Sequence, residues 1–137
     1  MKTLVFRILP KQDLRQEINS HCRSANVKSG CIISAVGCVS TAVVRIADGK
    51  TMQTKQADME IVSLTGTITS DGDHLHILCI DNDHQPFGGH LKEGTLVNTT
   101  CEVVIADFSD EWTLHRSFDM QTGYDELTVS QIIGSTE

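Results

Sequence analysis

The chain has 137 residues, of which 39% are hydrophobic and 21% are charged, so it is long enough to bury one core but too short for two domains of ordinary size. Its formal net charge of −7 produces an average field that repels nucleic-acid phosphates and acidic membrane surfaces. This balance excludes a disordered chain and argues against a sequence-neutral nucleic-acid binder.

The N-terminal segment predicts a strand followed by an amphipathic helix. The apolar run over residues 4–9 predicts an opening strand that ends at Pro10. Asp13 offers an N-cap, with Gln16 three residues later. Apolar residues then recur at helical spacing, namely Leu14, Ile18, Cys22 and Ala25. The opening apolar run is too short for a signal peptide or a membrane span, so we expect a cytoplasmic protein.

The middle of the chain predicts strands joined by short turns. Residues 31–48 are β-branched and small, and Gly37 interrupts them, which indicates a strand, a bend or bulge, and a second strand. Gly49 closes that pair. Residues 59–69 predict the next strand, and the turn at residues 70–73 is typical of antiparallel strands.

The second half continues this pattern. Residues 74–80 predict a strand, residues 81–86 form a polar loop, and residues 95–108 predict another long strand. Weaker strands follow in the tail, residues 110–137, which we expect to be peripheral. One helix and many strands with short turns predict an α+β fold: a mainly antiparallel sheet with one packed N-terminal helix, in a compact single domain of residues 1–137.

Two histidines stand in the strand that follows the turn. Side chains two residues apart share one face of a strand, so His74 and His76 point the same way, about 6.5 Å apart. If the next loop reverses the chain about Asp83, position 90 falls nearly opposite position 76, and His90 could supply a third nitrogen. Gly88 and Gly89 would allow the close backbone approach that this requires.

Three neutral imidazoles with an open fourth position are typical of catalytic Zn²⁺, and imidazole also suits Ni²⁺, Cu²⁺ and Fe²⁺. The alternative is a solvent-facing polar pair without a metal. The other histidines are interpreted as surface residues, namely His21, His84 and His115.

The order of segments resembles the PPC domain, the "plants and prokaryotes conserved" family, in its prokaryotic branch. EIVSLTGTI, HLHILCIDND and FGGHLKEGTLVNTTCEVVI follow one another, and the likeness covers residues 4–109. Its specific signature is GGHL, a K-E-G turn and a T-T-x-E-V-V strand. The chain lacks the R-G-R-P AT-hook core that precedes this domain in land plants.

The resemblance implies a compact antiparallel sheet with one helix, assembled as a homotrimer. It also implies a divalent transition metal, zinc first, held by the histidines of the H-x-H strand and of GGH, which correspond to His74, His76 and His90. A more distant similarity connects the chain to acetolactate decarboxylase, which shares the sheet architecture and holds zinc with an H-x-H pair and a later histidine.

Three functional hypotheses follow. The first is a metal-dependent enzyme or small-ligand binder whose cation polarises a carbonyl or carboxylate oxygen. Under this hypothesis, Arg45 would bind a substrate carboxylate, and Glu60 or Glu102 would transfer protons. The alternative for both glutamates is a solvated or helix-capping charge. The second is a homotrimeric protein-interaction module. The third, a nucleic-acid-associated regulator, is disfavoured by the net charge.

Overall fold

The computed structural model describes residues 1–133 as eight strands and one helix. In chain order these elements are β1 Lys2–Ile8, α1 Leu14–Ser24, β2 Ser29–Arg45, β3 Met52–Thr69, β4 Gly72–Asp81, β5 Pro86–Leu91, β6 Leu96–Asp107, β7 Trp112–Phe118 and β8 Asp125–Gln131.

The helix α1 begins where the sequence predicts it. The Asp13 carboxylate accepts a hydrogen bond from the backbone N–H of Gln16 at 3.0 Å and another from that of Gly94 at 2.6 Å. This cap satisfies a helix donor that would otherwise lack a partner. The buried stripe of α1 packs on the sheet and consists of Leu14, Ile18 and Cys22. Within residues 1–133, no helix has the length and apolar character needed to cross a membrane.

Six strands form one antiparallel sheet in the order β1-β6-β2-β3-β4-β5. The end of β2 also pairs with β5, through Val44 with Leu91 and Arg45 with His90. Strands β2, β3, β4 and β5 therefore form a closed ring. Strands β7 and β8 form a separate antiparallel hairpin. The α+β class and the single domain expected from the sequence are confirmed.

Two strand boundaries differ from the sequence-based expectation. Residues 31–48 do not form two strands, because β2 runs unbroken from Ser29 to Arg45. The predicted interruption near Gly37 is instead a shift in the register of its pairing with β6. A Cβ at Gly37 would overlap the carbonyl oxygen of Thr100, so glycine allows β6 to approach. Strand β3 starts at Met52 rather than at residue 59, because this polar segment pairs with the end of β2.

Strand β4 separates the core from the candidate site. Leu75, Ile77 and Cys79 alternate along it and are buried, as the sequence predicts for the face opposite the histidines. The histidines His74 and His76 therefore lie on the outer face of the sheet. Substituting either histidine should therefore have little effect on the packing of the hydrophobic core.

Candidate metal centre

His74, His76 and His90 form one cluster. Strands β4 and β5 pair antiparallel with His76 opposite His90, which is the placement inferred from the loop between them. The ring centroids lie 4.9 Å apart for His74 and His76, 5.1 Å for His74 and His90, and 5.6 Å for His76 and His90. One ligand nitrogen of each ring lies within 4.8 Å of those of the other two. We refer to these residues as the histidine triad.

The spacing of the triad fits a transition metal. The Nε2 atoms of His74 and His76 are 3.1 Å apart. In a tetrahedral zinc site with Zn–N bonds of about 2.0–2.1 Å, two ligand nitrogens are separated by about 3.3 Å. Two of the three nitrogens therefore already have about the separation that one zinc ion requires, and a nitrogen of the third ring lies within 4.8 Å.

Two glycines bring His90 to its position. A Cβ at Gly88 would overlap the carbonyl oxygen of Ile77 on β4, and one at Gly89 would lie 2.7 Å from the carbonyl oxygen of Arg45 on β2. Gly89 also has a φ of 154°, which side chains rarely adopt. Strand β5 can fit between β4 and β2 only because both positions lack a side chain.

The surroundings keep two rings of the triad neutral. Burial, together with the positive charges of Arg45 and Lys92, lowers the pKa of His90 to about 4. Burial is also the largest cause of the lowered pKa of His74, followed by the neighbouring His76 and Arg116. Neutral imidazole retains the lone pair that a metal binds, so these two rings are ready ligands at pH 7.

Arg45 lies beside the triad. It is the β2 partner of His90, and its Nη2 atom lies 3.5 Å from Nδ1 of His90, at the outer limit of a hydrogen bond. Its buried Nε atom has no hydrogen-bond partner within residues 1–133. The sequence-predicted arginine thus lies where it could contact a small molecule bound beside the triad.

The two sequence-predicted carboxylates lie elsewhere. Glu60 pairs with Ile80, four residues along β4 from His76, or about 13 Å at 3.3 Å per residue. Glu102 pairs with Val36, nine residues before Arg45 on β2 and therefore about 30 Å away along the strand. The structure does not bring Glu60 or Glu102 to the triad, so neither is placed to move a proton there.

A cavity of about 360 Å³ adjoins the triad, and part of its wall comes from the tail. Sequence reasoning did not connect residues 110–137 with the site, and residues 134–137 lie outside the described part of the chain. No motif marks the tail residues concerned, because long-range contacts alone bring them here. The body of the domain contributes Arg15, Arg45, Asp71, Gly72, Asp73, His74 and His90, and the hairpin contributes Arg116, Tyr124, Asp125 and Glu126.

Residues 1–109 match the family model described as the Plants and Prokaryotes Conserved (PCC) domain. The chain belongs to this family. Among curated relatives, this PCC-domain chain is 39% identical over 134 residues to the bifunctional protein GlmU of Synechococcus sp. (strain JA-2-3B'a(2-13)), a match that covers 98% of this chain and 21% of that protein. The chain thus spans about a fifth of the length of the curated relative it matches.

Solved structures share the fold of this PCC-domain chain. A hypothetical protein from Salmonella cholerae-suis aligns with a TM-score of 0.91 at 27% identity, over 96% of this chain and 95% of that chain. A metal-containing protein from Archaeoglobus fulgidus aligns with a TM-score of 0.75 at 27% identity, over 93% of this chain and 94% of that chain.

The more distant likeness is confirmed for the fold alone. A Staphylococcus aureus protein described as similar to alpha-acetolactate decarboxylase aligns with a TM-score of 0.52 at 16% identity, over 79% of this chain and 53% of that chain.

Proposed function

We propose that this PCC domain binds one divalent transition metal, zinc first, through His74, His76 and His90, and that the metal holds a small molecule in the adjoining cavity. The observation that carries the proposal is the convergence of three imidazoles, with two Nε2 atoms 3.1 Å apart. The description of the Archaeoglobus fulgidus relative as metal-containing supports it.

The proposed chemistry follows from the ligand set. Three imidazoles leave a fourth position of a tetrahedral metal open for a ligand. The cavity, about 360 Å³, is in the range that small-molecule sites occupy. A bound metal would polarise a carbonyl or carboxylate oxygen there as a Lewis acid. If a reaction takes place, Glu126 is the carboxylate we propose for proton transfer, because it lines the same cavity and its charge acts on His74.

Elemental analysis tests the metal directly. We expect protein purified without a metal-affinity tag to carry about one equivalent of a transition metal per chain, since three preplaced imidazoles bind such ions tightly. A chelator should remove the metal, and added Zn²⁺ should restore the same stoichiometry. Protein that takes up no transition metal even after incubation with Zn²⁺ would contradict the proposed function.

A homotrimeric interaction module is the second candidate function, and it is compatible with the first. Four aliphatic side chains of the sheet are more than half exposed in the single chain: Val5 (68%), Ile33 (53%), Val36 (57%) and Val62 (59%). Exposed apolar side chains on strands are typical of a surface that another protein chain covers. Against a nucleic-acid-associated role stands the net charge of −7, which opposes phosphate contacts.

Sedimentation equilibrium tests the assembly. We expect a mass near three times the 15.0 kDa of one chain, because association would remove the exposed aliphatic side chains from water. The metal-free protein should be measured alongside to separate assembly from metal binding. A single species of 15.0 kDa at micromolar concentration would argue against the trimer.

A further inference from the structure

Two guanidinium groups flank the histidine triad on the outer face of the sheet. Paired residues of neighbouring antiparallel strands share a face. Arg45 pairs with His90, and His90 pairs with His76, so these three side chains form one row across β2, β5 and β4. The guanidinium of Arg45 therefore lies at the β2 end of this row, next to His90, one of the proposed metal ligands.

Arg116 reaches the triad from the opposite side. His74 pairs with Thr67 of β3, so these two side chains share a face. The Nη2 group of Arg116 donates a hydrogen bond to Oγ1 of Thr67 at 2.7 Å, and its backbone N–H donates to Oδ2 of Asp71 at 2.9 Å. These bonds attach strand β7 to the sheet and hold the second guanidinium beside His74.

Both guanidinium groups retain a buried donor without a partner. The Nε atoms of Arg45 and Arg116 are inaccessible to solvent and make no hydrogen bond within residues 1–133. Buried polar groups in native proteins are nearly always hydrogen-bonded, because an unpaired one loses its interaction with water. Both arginines line the cavity, so a ligand with acceptor oxygens bound there would lie beside two guanidinium groups whose donors are not all taken.

Tyr124 orients one of the two groups. Its ring centroid lies 5.7 Å from Cζ of Arg45, within the range of a cation–π contact. Its hydroxyl packs against Gly49 in the β2–β3 turn, where a Cβ would lie 2.5 Å from it. The tail hairpin thus contacts both the turn and the guanidinium, which limits the freedom of Arg45.

The charges of the cavity favour an anion only when a metal is present. Arg15 and Asp73 neutralise each other through a contact of 3.0 Å. Arg45 and Arg116 then share the cavity with three carboxylates, those of Asp71, Asp125 and Glu126. A divalent cation on the triad would add two positive charges and shift the local balance towards an oxyanion.

We propose that Arg45 and Arg116 form an oxyanion subsite that takes the carboxylate or phosphate group of a small ligand while a further ligand oxygen reaches the metal. This inference rests on the proposed function, because the charge balance requires the metal. A planar guanidinium offers paired N–H donors that match both carboxylate and phosphate oxygens. The subsite would therefore select small anionic molecules over neutral ones.

Cobalt-substituted protein tests the subsite, because bound Co²⁺ reports its ligands by visible absorption. Glycolate and inorganic phosphate are titrated separately into the cobalt-loaded wild type and into the variants Arg45→Gln and Arg116→Gln. We expect at least one anion to bind the wild type and each variant to bind it about 10- to 100-fold more weakly, as expected for a lost charged hydrogen bond. A preference for glycolate would indicate carboxylate ligands, and a preference for phosphate would indicate phosphate esters.

Cobalt affinity separates this result from misfolding or from loss of the metal site. It should stay the same or rise in both variants, because each removes a positive charge near the cation. Arg7→Gln serves as the control, since Arg7 lies on β1 and contacts Thr99 and Thr100 rather than the cavity. Cobalt binding with equal anion affinity in all four proteins, or with no anion binding, overturns the subsite alone. Failure of the wild type to bind cobalt overturns both the subsite and the proposed function.

Discussion

Replacing any one of His74, His76 and His90 by alanine is expected to empty the metal centre without unfolding the protein. Substitution of a residue that merely supports a metal ligand typically lowers affinity about 10- to 100-fold, so loss of a ligand itself should exceed that range. His74 and His76 lie on the outer face of the sheet and His90 is only half-buried, so the core should persist. Metal content after equilibration with Zn²⁺ measures the first effect, and thermal unfolding measures the second.

The matched control for this experiment is His84→Asn. His84 lies in the β4–β5 turn with a φ of 56°, a conformation that asparagine tolerates better than alanine. It is not one of the three clustered histidines, so its substitution should leave the metal content unchanged. Equal metal content in the wild type and in all three triad variants would remove the triad as the metal site.

Gly88→Ala is expected to destabilise the protein strongly and to weaken metal binding in the same variant. The new Cβ would overlap the carbonyl oxygen of Ile77 and lie 3.0 Å from Cα of Leu78, and both are backbone atoms that cannot rotate away. Strand β5 would have to move off β4, which lengthens the distance between His90 and His76. We expect a loss of about 3 kcal/mol in the free energy of unfolding, at the upper end of the range for overpacking.

Denaturant unfolding of the metal-free protein isolates the stability effect, and Zn²⁺ titration then measures the effect on the site. Gly123→Asn is the control, because no atom lies within 4 Å of a Cβ there and its φ of 77° suits asparagine. It should change the free energy of unfolding by no more than about 0.5 kcal/mol. Wild-type stability in Gly88→Ala would show that β5 does not depend on close approach to β4.

Local sequence patterns were sufficient for the helix and for the triad. The helix followed from the Asp13 cap and from apolar residues at a period of 3.6, both of which act within a few residues. The outward direction of His74 and His76 followed from strand alternation. The placement of His90 followed from a short reversing loop, since antiparallel register depends on where the chain turns.

The ends of the strands were harder to predict from the sequence, because they depend on partner strands that are distant in the chain. Residues 52–58 carry no strand pattern of their own, and they form part of β3 because residues 52–56 pair with residues 41–45 of β2. Likewise, β2 continues through Gly37 because β6 pairs on both sides of that glycine. Pairing energy from neighbouring strands overrides local preference at such positions.

The rest of the site was decided by tertiary structure alone. The ring closure of β5 onto β2 sets Arg45 beside His90, 45 residues away in the chain, and the tail hairpin sets Arg116 beside Thr67, 49 residues away. Glu60 and Glu102 are close to the triad strands in sequence order, yet the same topology places them far along their strands, while Glu126 lines the cavity. Hydrophobic periodicity indicates which face of an element is buried, but contacts across such separations depend on how the elements pack, and no local pattern encodes that.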